Sequence, residues 1–195
     1  MKFLKFAALS LVFCTFTAST SFAHLSRAET ELERRTRILY DAQAGDAKAQ
    51  YEYVAIFLPI YAQDRAGSIK ALNWYKKSAA QGYAPAKVKI GDMYAAGRNR
   101  YDGSGIEKDM QKACIWYWGA AQQGLAEAEF KTGKCSHSGD GSRQNYATAR
   151  DWYHKAMRQG FWEAAEALAI MAEKGDGQQP QHTNAYYFYR IAMTS

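Results

Sequence analysis

The stretch ALNWYKKSAAQGYAPA, Ala71 to Ala86, returns as ACIWYWGAAQQGLAEA from Ala113 and as ARDWYHKAMRQGFWEA from Ala149; a truncated echo, AYYFYRIAMTS, starts at Ala185. Near-copies at one alignment constrain the fold more than any other feature. Each copy is one supersecondary unit that cannot bury its apolar face alone and must stack on its neighbours. Ala71, Ala113, Ala149 and Ala185 are separated by 42, 36 and 36 residues, and Trp74, Trp116, Trp152 and Phe188 keep the same steps. A period in the thirties holds two helices and their turns, so the chain is predicted to be an all-α, right-handed solenoid of about four helix-turn-helix repeats. The expected repeats run over 34–70, 71–112, 113–148 and 149–184, closed by a helix over 185–195.

Each unit reads alike. A first helix carries Ala, Trp and Tyr at positions one, four and five, with small residues a turn later, as in Ala71, Trp74, Tyr75 and Ser78. That spacing makes one apolar face. Gly82, Gly124 and Gly160 follow, and glycine ends a helix in the left-handed conformation without penalty. A second helix comes next, with Pro85 in its first turn where the missing N–H costs little. Gly-Asp-Gly turns at 139–141 and 175–177 then reset the direction. The first repeat is diverged, with Arg37 and Ile38 in the Trp-Tyr places, as expected of a unit facing solvent on one side. Six extra residues in the second repeat place a lengthened loop, RNRYDGSG, around Arg98 to Asp102.

The first 23 residues read as a secretory signal: Lys2 and Lys5, an apolar run from Phe6 to Phe16, then Ser21-Phe22-Ala23 as a cleavage site. The run is short for a bilayer span, and Phe13 before Cys14 argues against lipoprotein processing. A mature chain from His24 in a bacterial periplasm or outside the cell is the expectation, without a membrane span. Residues 24–33 are polar and expected to be loose, with a charged helix starting over Glu29 to Arg37. The formal charge of +6 falls to +4 once Lys2 and Lys5 are removed. With no basic run, this points to neither nucleic acid nor membrane as partner.

The pattern Ala-x-x-Trp-Tyr-x-x-Ala, Gln-Gly, Ala-x-Ala, Gly-x-x-Tyr and Gly-x-Gly resembles the Sel-1-like repeat, a relative of the tetratricopeptide repeat. The resemblance covers roughly residues 34–195; repeat four departs from it with Ala169 where Gly91 and Gly133 stand. It implies fold far more than function, since such arrays serve many partners.

Two cysteines survive signal removal. Cys114 lies ten residues before Gly124 and Cys135 eleven after it, which puts them side by side in a helix pair turning at that glycine. An even count in an oxidising compartment favours a disulfide; cysteine-rich members of the resembled family also staple the two helices of a repeat. The alternative is two buried thiols that fill space. No Cys-His arrangement is readable, and His24, His137, His154 and His182 lack metal-ligand spacing, so they are read as solvated or capping residues. Asp140 and Asp176 supply too few hard ligands for calcium. The expectation is a non-catalytic protein without cofactor or metal.

The Trp-Tyr pairs at 74–75, 116–117 and 152–153 are assigned to the core. Trp118, Phe161, Trp162, Tyr186 and Tyr187 fall outside them, and Tyr101 sits in the long loop with Arg98 and Arg100. Aromatics and arginine concentrate binding energy. Tyr101 and Trp118 therefore lead as partner-binding residues, with Arg98, Arg100, Phe161 and Trp162 beside them. Binding of an envelope or secreted protein is the expected function. Neutralisation of a secreted toxin of phospholipase type, and a weak cell-wall-related hydrolase, are alternatives implied only by the family resemblance.

Overall fold

The structure, a computed structural model, describes residues 18–58, 65–99 and 105–194. Two compact units are distinguished, Met1–Arg37 and Ile38–Ser195. In the first, the described residues are helical: α1 (Ala18–Ala44) begins there. Residues 24–33 are thus helical rather than loose. They lack apolar periodicity, but Glu31 pairs with Arg34 at 3.6 Å and Arg35 at 3.8 Å, one turn apart.

The second unit holds the end of α1 and then α2 (Ala47–Phe57), α3 (Arg65–Ala80), α4 (Ala84–Ala96), α5 (Met110–Ala121), α6 (Ala126–Ser138), α7 (Tyr146–Arg158), α8 (Trp162–Lys174) and α9 (His182–Thr194). Each helix packs on its successor or on the one before, α4 on α5, α6 on α7 and α8 on α9 most extensively, so the helices stack in chain order as an all-α solenoid. The helices α3, α5, α7 and α9 are the first helices of their repeats; α2, α4, α6 and α8 are second helices. The lengthened loop opens and closes on a two-residue antiparallel ribbon, β1 (Arg98–Asn99) with β2 (Gly105–Ile106), Arg98 opposite Ile106. Ile106 is buried with Leu72 and Ile90, which roots the insertion in the core.

Short polar residues start the helices. Asp46, Asp109 and Asn145 accept the backbone N–H of Ala49, Lys112 and Thr148 at 2.7, 2.9 and 3.0 Å, capping α2, α5 and α7. The second helices α4, α6 and α8 start instead on Tyr83, Leu125 and Phe161, whose side chains make no cap. These three residues share one repeat position and pack against the core, Tyr83 beside Tyr51 and Phe161 beside Phe130 at 5.1 Å between rings. Gly82, Gly124 and Gly160 take φ of 90°, 78° and 81°, as the stop signals require. In the Gly-Asp-Gly turn at 139–141, Gly141 has φ 80° and lies so close to the Met110 backbone that a Cβ would meet it at 2.3 Å. Two reasons for glycine coincide there.

Contacts between repeats follow the same period. Tyr117 lies on Gly91, and Tyr153 on Gly133, each ring filling the space a Cβ would need, 2.4 and 2.6 Å away. Polar ties run alongside. Gln81 Nε2 donates to Gly45 O at 2.7 Å and Gln50 Oε1 at 3.0 Å, and Gln159 Nε2 donates to Glu129 Oε2 at 2.8 Å. Gln50 and Glu129 occupy one repeat position, so Gln81 and Gln159 each tie a repeat to the one before it, whereas Gln123 donates to Gly119 O in its own helix at 3.5 Å. The Trp-Tyr pairs are core residues as expected: Trp152, Tyr117 and Tyr153 are buried, and Trp74, Tyr75 and Trp116 pack half-buried against the clusters.

Candidate functional site

The first helix α5 buries Ala113, Cys114, Tyr117, Ala120 and Ala121, an i, i+1, i+4, i+7, i+8 stripe. That stripe turns Ile115 and Trp118, three residues apart, to the solvent face, where they are 61% and 54% exposed. They border a groove of about 400 Å³ between α5 and α7, whose far wall is Thr148 and Trp152. The groove's floor is the disulfide joining Cys114 on α5 to Cys135 on α6, with Cα atoms 6.0 Å apart. The covalent tie holds α5 against α6 directly beneath the two exposed side chains. Cys114 Sγ also lies 3.4 Å from the Asp140 carbonyl, a packing contact, since an oxidised sulfur has no proton to donate. Lys155 Nζ stands 3.9 Å over the Trp152 ring at the rim, as Lys77 does over Trp74 at 4.5 Å.

Of the residues expected to bind a partner, Trp118 is placed at this groove. Trp162, 48% exposed, begins the second helix α8 and does not line it. Phe161 is a correction: it is half-buried against Phe130 and the α7–α8 core, because the residue after the helix-stopping glycine is a repeat-phased plug and not a surplus aromatic. Arg100 and Tyr101 lie outside the described residues, and of Arg98 the backbone pairing with Ile106 is described. Ile115 escaped sequence reasoning. A signal existed: its counterparts in the flanking repeats are Asn73 and Asp151, so an apolar side chain stands where its neighbours are polar.

His137 is a second correction, being neither solvated nor capping. It lies at the end of α6, its Nε2 2.7 Å from Asp176 Oδ2 and its ring edge-on to Tyr146 and Tyr153. Asp176 belongs to the next Gly-Asp-Gly turn, and Arg150 Nη1 donates to its carbonyl at 2.8 Å, so the pair latches one repeat to the next. His137 also lines a second groove, about 600 Å³, with Phe130, Lys134, Glu166 and Ile170, of mixed charge. The nearby hydroxyls are engaged with backbone: Ser138 donates to Lys134 O at 3.0 Å and Ser142 to Cys135 O at 3.0 Å. Among the described residues no group of three or more His, Cys, Asp or Glu is gathered as a metal site.

Burial sets the protonation of the inner rings. Burial, and then the charge of Asp92, raises the Tyr117 phenol, which donates to Asp92 Oδ1 at 2.9 Å beside Lys131 at 2.7 Å. Burial pushes Tyr75 up to about 12, and raises Tyr153 as well. His154, edge-on to Phe188, is held below its ordinary value by burial first and by Arg158 second. These phenols stay protonated at neutral pH.

The Sel1 repeat family profile matches residues 68–83, 92–125, 126–161 and 162–192, more than half of the chain. A Sel1 repeat protein from Oxalobacter formigenes superposes with a TM-score of 0.68 at 27% identity, covering 90% of this chain and 70% of that one. The protein c5321, a protective antigen of uropathogenic Escherichia coli strains with the same repeat fold, gives 0.68 at 27% identity, covering 82% of this chain. The chain spans about a third of that protein's length, 33%. No curated protein matches significantly. With four matched repeats laid over the helix pairs described above, the chain belongs to the Sel1-repeat family.

Proposed function

We propose that this protein is a non-catalytic binding module that holds a protein partner in the groove beside Trp118, outside the cytoplasm. Sel1 repeats generally form protein–protein interaction modules and are typically non-catalytic. The observation that carries the reading is the pair of large apolar side chains, Ile115 and Trp118, exposed on the rim of a groove with a covalently braced floor. Exposing them to water is unfavourable by about 25 cal/mol for each Å² of apolar area. Removing that area from water on association is the favourable term a binding site exploits, and tryptophan in a pocket is where such energy concentrates. Export is supported by the signal-like residues 1–23 and by a disulfide, which persists in oxidising compartments. Among the described residues no helix is long and apolar enough to cross a membrane.

The test is a photo-activatable phenylalanine analogue placed at Ile115 in the producing cell, with Lys174 on α8 as the control position. Irradiation is expected to give a discrete adduct from position 115, none from 174, and none from position 115 once Trp118→Ala is added. Equal labelling at the two positions, or no adduct at 115, would remove this groove as the binding site.

A further inference from the structure

The two helix layers differ in charge. The first helices α3, α5, α7 and α9 carry four, one, three and one lysines and arginines, nine in all, against a single acid, Asp151; the end of α1 within the second unit adds one acid, Asp41. The second helices α2, α4, α6 and α8 carry one, two, two and one, six in all, against one, one, two and three acids, seven in all. Net charge is therefore +8 on α3, α5, α7 and α9, or +7 with Asp41 of α1, and −1 on the second helices. The second-layer lysines are also partly neutralised in place: Lys48 by Glu52, Lys89 by Asp92, and Lys131 by Asp92 and Glu127. On the first helices Lys112 pairs with the capping Asp109, while Lys70, Lys76, Lys77, Lys155, Arg158 and Arg190 are exposed and pair with no described carboxylate.

These cations share the outward face with the groove. Lys76, Trp118, His154 and Arg190 occupy one repeat position, and Lys77, Gly119, Lys155 and Ile191 the next. Trp118 thus stands in a row that holds two cations, Lys76 and Arg190, beside the uncharged His154, and Lys155 reaches the groove rim over Trp152. Two lysines lean on the faces of tryptophans that line the same layer, a placement that keeps the charge at the surface instead of spreading it into solvent.

We propose that the partner docks an acidic protein segment across the first-helix face, its Asp and Glu side chains along the lysine and arginine rows and one apolar side chain in the Trp118 groove. The inference rests on the groove reading above and adds the partner's chemistry to it. Opposite charge steers encounter and sets register, while the aromatic pocket holds the bound state. A protein segment fits better than a lipid surface or nucleic acid, because the feature at the centre of the rows is a narrow apolar groove. A membrane would leave that groove unfilled, and a nucleic acid would be read by a continuous basic track.

The purified protein is titrated, with anisotropy readout, against a fluorescein-labelled peptide of alternating glutamate and leucine, its lysine–leucine counterpart, phosphatidylglycerol vesicles and a single-stranded oligonucleotide. The glutamate peptide is expected to bind at least about tenfold more tightly than the lysine peptide. It should weaken about fivefold or more between about 50 and 300 mM salt. Combined Lys76→Glu, Lys155→Glu and Arg158→Glu should weaken it by about tenfold or more, and the milder set Lys76→Gln, Lys155→Gln and Arg158→Gln by several-fold, with helicity unchanged. Equal binding of the lysine peptide, or binding of vesicles or oligonucleotide without the glutamate peptide, overturns the proposal. Trp118→Ala separates the two readings. If it leaves tight, salt-sensitive binding of the glutamate peptide intact, acid selectivity stands and the groove falls; if it abolishes binding that charge reversal spares, the groove stands and acid selectivity falls.

Discussion

Gly91 and Gly133 sit in the middle of α4 and α6, where glycine costs helix stability of roughly 1 kcal/mol relative to alanine. The rings of Tyr117 and Tyr153 explain them. Tyr117 cannot give way, since its hydroxyl is held by Asp92 and its ring is buried. Overpacking of this kind costs about 1–3 kcal/mol, so it outweighs the gain in helix propensity. Gly91→Ala and Gly133→Ala are each expected to lower the urea-unfolding free energy by about 1–2 kcal/mol. Gly119→Ala, where an added Cβ meets nothing nearer than Lys87 Cδ at 3.9 Å, is expected to raise it by up to about 1 kcal/mol. A Gly91→Ala protein as stable as the parent would show that the ring is free to move. The glycines and the repeat-four alanine were visible in the sequence, but their purpose was not. The ring that needs each glycine comes from the next repeat, 26 residues on for Gly91 and 20 for Gly133, and one chain without relatives does not reveal such a pairing.

Among the elements, the helix pairs were legible because Ala, Trp, Tyr and Gly recur in phase, and the glycine turns and Pro85 marked their ends. The cysteine pairing was legible too, from equal distances about Gly124, and the structure joins Cys114 to Cys135. Three features were not. The early start of α1 rests on good helix formers and ion pairs without an apolar stripe; the two-residue ribbon at the root of the long loop is too short to leave a pattern; and Phe161 was counted as surplus because its counterparts, Tyr83 and Leu125, differ in type. The disulfide closes a loop over a sequence separation of 21 and braces α5 on α6. Constraining the unfolded chain by a loop of that length contributes about 3 kcal/mol. Reduction, or Cys114→Ser with Cys135→Ser, should lower the melting temperature by on the order of 10 °C, read by calorimetry with and without a thiol reductant. An unchanged melting temperature would show that packing alone holds the pair. The groove bordered by Trp118 stands on that brace, so loss of the disulfide is also expected to loosen the site.

For the whole of Ile38–Ser195, stability accrues from each repeat and from its contact with the next. The tyrosine-on-glycine sockets, the glutamine ties and the His137–Asp176 latch all act across such junctions. The last junction is built differently. Ala169 is fully buried where α4 and α6 have glycine, and Tyr189, the counterpart of Tyr117 and Tyr153, is 36% exposed and donates to Glu173 at 3.0 Å. A methyl group fills the socket, and the ring stands aside. This makes the array unequal as a substrate for gene duplication. A tandem copy of codons 113–148 would bring Gly133 against a new Tyr117, a junction that seats its ring and lets the protein grow by one repeat. A tandem copy of codons 149–184 would bring Ala169, with Glu173 beside it, against a new Tyr153, which would have to leave its buried seat for the exposed pose of Tyr189. The first lengthened gene is expected to yield protein that melts cooperatively at or above the parent's temperature, and the second a less stable protein that Ala169→Gly improves. Through one methyl group, the fourth repeat decides how firmly a copied repeat would be seated.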